Sequence, residues 1–289
     1  MAVAETTVTS KRSVFQSSAA QKLLAFAALI VIFLVFSFLS PYFATRDNII
    51  GILLATAVNG VLALGVTFII ITAGIDLSVG TVMTLSAVMT GLAITIYGLP
   101  VPVGILVGIL TGAAAGFING VVISRMRIPP FIATLGMMMI ARGLALVLST
   151  IETGTVKPIY FNDTPEFRQL TMLSVLDPLL APIFPGFSVP NAVFMMFAAA
   201  LVAAFILGKT VLGRYTVAMG SNEEATRLSG VNVANWKTAV YALGGVFSGL
   251  AGVMIASRLN SAQPALGVGY ELDAIAAVVI GGTSLSGGE

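Results

Sequence analysis

The 289-residue sequence contains no cysteine and no histidine, and only 9% of its residues are charged. The lack of cysteine excludes disulfide bonds and thiol nucleophiles, and the lack of both residue types removes imidazole bases and the usual zinc ligands. Soluble domains carry about 25% charged residues, whereas this chain is 57% hydrophobic and has a mean hydropathy of +1.03. Such a composition is typical of a protein in a lipid bilayer, for which we expect no metal and no cofactor. A net charge of +2 without a basic run also argues against a nucleic-acid partner.

Long apolar runs predict an all-α polytopic membrane protein with about seven to eight transmembrane segments. A polar head, residues 1–22, precedes a transmembrane domain, residues 23–289. The first run is interpreted as a retained helix and not as a signal peptide, because it is long and many spans follow it. The predicted spans are 23–39, 51–71, 79–97, 101–123, 131–149, 191–207 and 238–256, followed by a stub at 272–282 that is too short to cross.

The distribution of positive charge predicts the orientation of these spans. With the N-terminus inside, nine lysine and arginine residues fall in inner segments and four in outer segments, while Arg142 lies within a span. This bias agrees with the positive-inside rule. The segment 208–237 is therefore expected on the cytoplasmic side, and the loop 150–190 on the outer side.

The cytoplasmic segment after the sixth span contains the pattern of a short helix. Ser221 is predicted to cap its N-terminus, with Glu224 completing a capping box. Glu223 and Arg227 are spaced for an ion pair between successive turns, and Gly230 stands where a left-handed residue would end the helix. Such a helix could dock a soluble protein, or it could be an ordinary solvated loop that is helical.

The fourth span contains a glycine at every fourth position. A stripe of this kind lets another helix approach closely, backbone against backbone. It could form a subunit interface in a moving assembly or pack within the chain, and the second interpretation is preferred. The stripe consists of Gly104, Gly108, Gly112, Gly116 and Gly120.

Polar residues within the predicted spans are candidates for a translocation pathway. Arg142 is a functional candidate because a charge near the bilayer centre is costly unless it is paired or hydrated. It could instead be a structural tether to carbonyl groups or to a carboxylate, for which Asp76 is a possible partner. Asn59 and Asn119 could contact a ligand, although hydrogen bonds between helices are the commoner role.

A seven-residue pattern, G-x-[DS]-L-S-x-G, occurs twice, at 74–80 and at 282–288. The first copy contains Asp76 and Ser78. Two such glycine-flanked breaks suggest a structural duplication, although a short match in so biased a composition could also arise by chance. If the two breaks are equivalent, about two further spans are expected after Glu289, so that the chain would be C-terminally truncated.

A loose P-loop pattern at 203–210 does not indicate nucleotide binding. A P-loop follows a strand and is rich in glycine, whereas this stretch is the apolar end of a predicted membrane helix. The LSGG sequence at 285–288 likewise has no soluble domain around it. We therefore expect this chain not to be an enzyme.

Several motifs together resemble the membrane permeases of ribose-type ABC sugar importers. The resemblance extends from about residue 23 to the end of the chain. The motifs that carry it are GIDLSVG at 74–80, IPPFIATLGMM at 128–138, GRYTVAMGSNEEATRLSGVNV at 213–233 and SAQPALGVGYELDAIAAVVIGGTSLSGG at 261–288. Members of this family continue beyond the last motif through further membrane segments.

The resemblance implies a non-enzymatic permease in the inner membrane of a bacterium, with its N-terminus in the cytoplasm. Two copies would work together with two ATPase subunits inside and a periplasmic sugar-binding protein outside, so the loop 150–190 would be periplasmic. The ATPase-coupling segment of the family matches Gly220, Ser221, Asn222, Glu223, Glu224, Arg227 and Gly230. Its substrate would be ribose or a related monosaccharide.

Two other functions stay open at this stage. The first is an ABC permease for a nucleoside or a branched-chain amino acid, whose substrates require recognition of a base or of charge. The second is a secondary transporter that uses Asp76 or Arg142 with a coupling ion. The small number of acids within the spans and the lack of histidine speak against a proton relay.

Overall fold

The computed structural model describes residues 18–151, 154–175, 177–180 and 188–288. The first part of the predicted polar head, residues 1–17, lies outside this range. The described chain is almost entirely helical, with one short antiparallel strand pair. The helices are α1 Ser18–Leu39, α2 Arg46–Ile71, α3 Val79–Gly91, α4 Val101–Ser124, α5 Pro130–Leu148, α6 Pro165–Met172, α7 Asp177–Leu180, α8 Asn191–Lys209, α9 Val211–Ser221, α10 Glu223–Leu228, α11 Val233–Leu259 and α12 Tyr270–Ile280, and the strands are β1 Ile159–Tyr160 and β2 Ser261–Ala262.

Within the described residues, six helices are long and apolar enough to cross a membrane. They are α2, α3 with its π-helical extension Leu92–Ile96, α4, α5, α8 and α11. The helical, membrane-spanning fold class is thereby confirmed. The apolar stretch Phe26–Leu39 of α1 is shorter than these six, so a total of seven to eight segments stays a prediction. Three of the helices begin five residues earlier than the predicted spans, α1 at residue 18, α2 at residue 46 and α11 at residue 233.

Proline residues determine where several of these helices begin. Pro102 and Pro130 occupy the first turns of α4 and α5, where the missing N–H would in any case have no helical partner. Gly98, with φ +62°, forms the turn between the π-helical extension and α4. The glycine- and proline-marked turn expected at 98–102 is therefore present.

Helix α11 is the centre of the bundle. It packs most extensively against α4 and also against α2 and α3. Phe247 on α11 stacks against Phe68 on α2, with ring centroids 6.2 Å apart. Since lipid tails are as apolar as these side chains, close packing and hydrogen bonds, rather than exclusion of water, must hold such helices together.

The glycine stripe of α4 packs within this same chain. A Cβ atom at Gly112 would meet the backbone of Gly245 and Gly249, and one at Gly116 would meet the backbone of Tyr241 and Gly245. Nearer the start of α4, Gly104 and Gly108 face side chains of α3 and its extension, while Gly120 near its end faces Thr238. The stripe therefore lies against α11 and α3, which is the intramolecular arrangement that the sequence analysis preferred.

The predicted stub at 272–282 is a short helix, α12, preceded by an irregular segment. This segment, residues 263–269, enters the bundle from the β1–β2 pair, and Gly267 packs against Gly80 and Thr84 of α3. Helix α12 then runs along α2, and the chain reaches the end of α2 where Gly288 N–H donates to the Ile71 carbonyl, 2.9 Å away. The irregular segment and α12 together thus lead the chain from the β1–β2 pair to the end of α2, and α12 forms only the second part of this path.

The two glycine-flanked breaks share a local structure. In the first, Asp76 Oδ1 accepts a hydrogen bond from Ser78 N–H at 2.7 Å. In the second, Ser284 Oγ accepts one from Ser286 N–H at 3.2 Å. Aspartate and serine can both close a turn on the amide two residues ahead. The backbones of the two breaks differ otherwise, because Gly282, Gly287 and Gly288 have positive φ and Gly74 and Gly80 do not, so the duplication stays a prediction.

Candidate coupling face and buried polar break

The segment 208–237, which the charge pattern predicts on the cytoplasmic side, contains two short helices that meet at an elbow. Asn222, and not Ser221, is the N-cap of α10, since its Oδ1 accepts from Ala225 N–H at 2.9 Å. Ser221 is the last residue of α9, and its Oγ donates to the Val217 carbonyl at 3.0 Å. The predicted cap is therefore wrong by one residue. Asparagine caps a helix as well as serine does. Because Ser221 still belongs to α9, the next residue, Asn222, is the one that caps α10.

The expected ion pair between Glu223 and Arg227 is also not formed. Arg227 instead binds Glu224, with Nε 3.0 Å from Oε2, and both side chains are 63% exposed. This hydrogen bond lowers the pKa of Glu224 and raises that of Arg227. Glu223 turns away to Lys237 on α11. As predicted, Gly230 is left-handed, with φ +86°, just beyond α10.

A cleft of ≈ 710 Å³ lies beside α10. Its walls come from the α4–α5 connection and from the start of α11. Its charged lining contains both signs: Arg127, Glu223, Glu224, Arg227 and Lys237. A mixed-charge cleft next to a capped helix can receive the polar side chains of another protein.

The end of α9 contacts the bundle at a point with no free space. A Cβ atom at Gly220 would overlap the Ile71 carbonyl oxygen and approach Gly288 N. That same carbonyl, the last of α2, accepts the hydrogen bond from Gly288. The elbow, the end of α2 and the second break therefore converge on one backbone carbonyl.

Three of the five predicted pathway residues form one buried cluster. Asp76 Oδ1 accepts from Ser78 Oγ at 2.6 Å as well as from its backbone N–H. Asn119 Nδ2 donates to Ser78 Oγ at 3.0 Å, and Leu77 N–H donates to Thr134 Oγ1 at 3.2 Å. Asp76, Ser78 and Asn119 are at most 3% exposed. Their polar groups satisfy one another, so this cluster holds the break in shape between α4 and α5.

The other two predicted pathway residues lie apart from this cluster. Asn59 is half-buried on α2, and among the described residues its Oδ1 has no hydrogen-bond partner. Arg142 is exposed on α5 beside Thr84 and Leu266. Among the residues described, Arg142 forms no ion pair with Asp76, because that carboxylate is buried against Ser78 and Asn119. The pairing considered from sequence is therefore not formed here.

Two polar residues near the start of α11, Lys237 and Tyr241, are not predicted as site residues by the sequence. Tyr241 is fully buried, and within the described chain its hydroxyl has no hydrogen-bond partner. It lines a cavity of ≈ 210 Å³ together with Thr72, Gly74, Glu223 and Lys237. Lys237 and Tyr241 are four residues apart on α11. Their helical spacing at the start of a predicted span was the available signal.

An intramembrane acid was also overlooked. Glu271 is 9% exposed in the first turn of α12, and its two carboxylate oxygens each lie 3.2 Å from Gly269 N–H. It thus accepts a backbone amide at the helix N-terminus, which is a structural role. In the described part of the chain, no group of three or more acidic residues is arranged to hold a metal ion.

Comparisons with known proteins identify the family. Residues 48–288 match the family described as the branched-chain amino acid transport system permease component. The chain is 42% identical to the ribose import permease protein RbsC of Haemophilus influenzae over 92% of this chain and 78% of that protein. It is 37% identical to the L-arabinose ABC transporter permease protein AraH of Azospirillum brasilense over 90% of this chain and 71% of that protein.

A third relative has another sugar in its name. The fructose import permease protein FrcC of Rhizobium meliloti is 36% identical over 82% of this chain and 63% of that protein. No solved structure matches the chain. The resemblance to ribose-type permeases is confirmed, and the chain belongs to the family described as the permease component of branched-chain amino acid transport systems.

Proposed function

We propose that this chain is the membrane-spanning translocation subunit of an ATP-driven importer for ribose or a related monosaccharide. The observation that carries the proposal is the α9–α10 elbow, a capped helix beside a mixed-charge cleft that is anchored on the last carbonyl of α2. By the positive-inside rule this end of the bundle faces the cytoplasm, where ATP is available to a separate ATPase subunit.

The exposed surface of α10 supports a docking role. Leu228 is 77% exposed beside the exposed pair Glu224 and Arg227. An apolar side chain surrounded by charges of both signs is suited to a protein partner. The two charges give orientation, and the leucine gives apolar contact. The energy of ATP hydrolysis would reach the bundle through this helix.

The substrate class follows from the relatives and from the interior of the bundle. The three relatives are named for ribose, L-arabinose and fructose, which are neutral and rich in hydroxyl groups. The buried acid Asp76 is already bonded to Ser78, which argues against a role in ion coupling or in binding the ammonium group of an amino acid. The family description favours branched-chain amino acids as the second candidate.

The proposed assembly contains two copies of this chain, two ATPase subunits and a periplasmic sugar-binding protein. It lies in a bacterial inner membrane, with the N-terminus of this chain in the cytoplasm. Its outer end, around the β1–β2 pair and α6, is the surface to which the binding protein would deliver sugar. Asn59, Asp76, Ser78, Asn119 and Arg142 remain the proposed lining residues, with the buried cluster shaping the pathway and Arg142 exposed to it.

Reconstitution tests this proposal. The chain is incorporated into proteoliposomes with the ATPase and binding protein encoded beside it, and uptake of radiolabelled ribose, L-arabinose, fructose and leucine is measured. We expect sugar uptake that requires ATP hydrolysis and persists when ion gradients are dissipated. Uptake of leucine in preference to the sugars would support the second candidate. Uptake that follows an ion gradient without ATP would contradict both.

A further inference from the structure

An ion pair ties the short helix α10 to the central helix α11. Lys237 Nζ lies 2.6 Å from Glu223 Oε2, although the two residues are far apart in sequence. The side chain of Lys237 is only 13% exposed, whereas that of Glu223 is 51% exposed. A lysine whose side chain is mostly buried depends strongly on its counter-charge, so the pair fixes α10 at one place on α11.

Other contacts between α10 and the bundle are few. Helix α10 packs mainly on α9 and touches α11 only lightly. Helix α9 has a separate connection to α11 through the edge-to-face contact of Tyr215 and Trp236, with ring centroids 5.0 Å apart. The Lys237–Glu223 pair is therefore the direct polar route from α10 to the first turns of α11.

The inner end of α11 meets the first glycine-flanked break one turn further on. Tyr241, four residues after Lys237, points its hydroxyl at Gly74. Lys237, Glu223 and Tyr241 line the same ≈ 210 Å³ cavity as Thr72 and Gly74. Lys237 and Tyr241 lie one turn apart on the same helix, and the Tyr241 hydroxyl packs against Gly74, so a displacement is passed along α11 itself. A shift of Lys237 would thus reach the break at 72–78 and the helices α2, α3 and α4 that surround α11.

The neighbouring ion pair of α10 differs in each of these respects. Glu224 and Arg227 lie on the same helix, and each is 63% exposed. Within the described residues, neither side chain of this pair has a hydrogen bond or an ion pair to α11. It therefore serves as an internal control, because it is an acid–base pair that also begins on α10 but stays within that helix.

We propose that Lys237 and Glu223 form a strut that transmits movement of a docked ATPase from α10 to α11 and the first break. This inference rests on the proposed function, because it takes α10 as the ATPase contact. Lys237 lines the cleft beside α10, but its side chain is only 13% exposed, so we assign it the positioning of α10 on α11 and not contact with the ATPase. Removal of Lys237 would allow ATP hydrolysis to proceed while sugar transport fails.

The test uses the complete complex in proteoliposomes with three readouts: ATPase retained on the tagged permease, ATP hydrolysis stimulated by sugar-loaded binding protein, and sugar imported per ATP hydrolysed. Lys237→Met removes the charge and keeps the apolar stem. The double variant Glu223→Lys/Lys237→Glu restores the pair with reversed charges. Arg227→Met is the matched control on the exposed pair.

For Lys237→Met we expect ATPase retention within about twofold of wild type and a fall of about tenfold in sugar per ATP. For the ATPase that stays bound, the reversed pair should recover at least about half of the loss in sugar per ATP, since the strut requires opposite charges and not a given order. Arg227→Met should weaken retention and leave sugar per ATP unchanged for the ATPase that stays bound.

Three results would contradict the proposal that the Lys237–Glu223 pair transmits movement from α10 to α11. They are a wild-type sugar-to-ATP ratio in Lys237→Met, loss of the ATPase from that variant, and a reversed pair as defective as the single change. If Lys237→Met does not purify as folded protein, Lys237→Gln replaces it, because the glutamine amide can still donate a hydrogen bond to Glu223 without carrying a charge. Absence of ATP-dependent uptake by the wild-type complex would instead contradict the proposed function.

Discussion

Gly288 donates its backbone N–H to the carbonyl oxygen of Ile71 at 2.9 Å, so the second glycine-flanked break lies against the end of the helix that leads into the first. Gly287 packs on Ala73, the left-handed residue that follows this helix. Gly220 of the elbow occupies the remaining side of the same carbonyl. The backbone at the end of α2 therefore connects the proposed ATPase contact to both breaks. A substitution that displaces this backbone should affect the elbow and the two breaks together.

The first prediction concerns the glycine stripe of α4. Gly112→Ala puts a methyl group onto the backbone of Gly245 and Gly249, and overpacking of this kind costs about 1–3 kcal/mol. Thermal unfolding in detergent should therefore show a lower midpoint. Gly136→Ala is the matched control, because a Cβ atom at that α5 position meets nothing within 4 Å. Equal midpoints for the two variants would mean that α4 and α11 are not in contact.

The second prediction concerns the buried cluster at the first break. Asp76→Ala leaves the Ser78 N–H and hydroxyl without their acceptor, which costs about 1–3 kcal/mol for each buried group left unpaired. Ser86→Ala provides the comparison, because its buried hydroxyl has no partner among the described residues, and its loss should be nearly neutral. Both are measured as unfolding midpoints in the same detergent. An unchanged unfolding midpoint for Asp76→Ala would contradict this prediction and would show that water takes the place of the carboxylate as acceptor for Ser78.

Features of short sequence range were predictable here. The four-residue glycine period on α4 and the positive φ of Gly230 both follow from local pattern and were found. The two breaks were visible as well, because the same side-chain-to-amide turn requires aspartate or serine at the third position of each.

Features decided by distant contacts were not predictable. The choice of Asn222 over Ser221 as cap depends on where α9 ends, and that end is set by Gly220 packing on Ile71. The partner of Glu223 lies on another helix, so spacing within α10 pointed to the wrong residue. The entry of residues 263–269 into the bundle was missed because hydropathy identifies continuous helices, and this segment is irregular.

The third prediction distinguishes the observed cap from the one expected by pattern. Asn222→Ala removes the acceptor for Ala225 N–H, and loss of a cap costs about 1 kcal/mol of helix stability. Hydrogen exchange of the α10 amides should become faster by roughly fivefold, the equivalent of that energy. Ser221→Ala, whose hydroxyl bonds only within α9, should leave exchange in α10 unchanged. Faster exchange of the α10 amides in Ser221→Ala than in Asn222→Ala would instead identify Ser221 as the cap.

The last prediction tests docking at the inner face. Glu223→Lys/Glu224→Lys reverses two charges that are exposed at the start of α10. Insertion should be unaffected because both lie outside the candidate spans, whereas the ATPase would meet like charge where it now meets opposite charge. We expect affinity for the ATPase to fall at least about tenfold, or roughly 1.4 kcal/mol, and uptake to be lost. The measurement is co-purification of the ATPase with the tagged permease, followed by uptake in vesicles.

Its control reverses two exposed charges at the opposite end of the bundle. Asp163 and Glu166 are exposed beside the β1–β2 pair and in α6, and α6 contacts the far end of α11 through the bond of Ser257 to the Phe167 carbonyl. Asp163→Lys/Glu166→Lys should leave ATPase association at the wild-type level, because this surface is on the other side of the membrane. It should reduce uptake only through weaker delivery by the binding protein, which raising the concentration of that protein would offset. If the outer variant releases the ATPase, or the inner variant retains it and transports at the wild-type rate, α10 is not the docking helix.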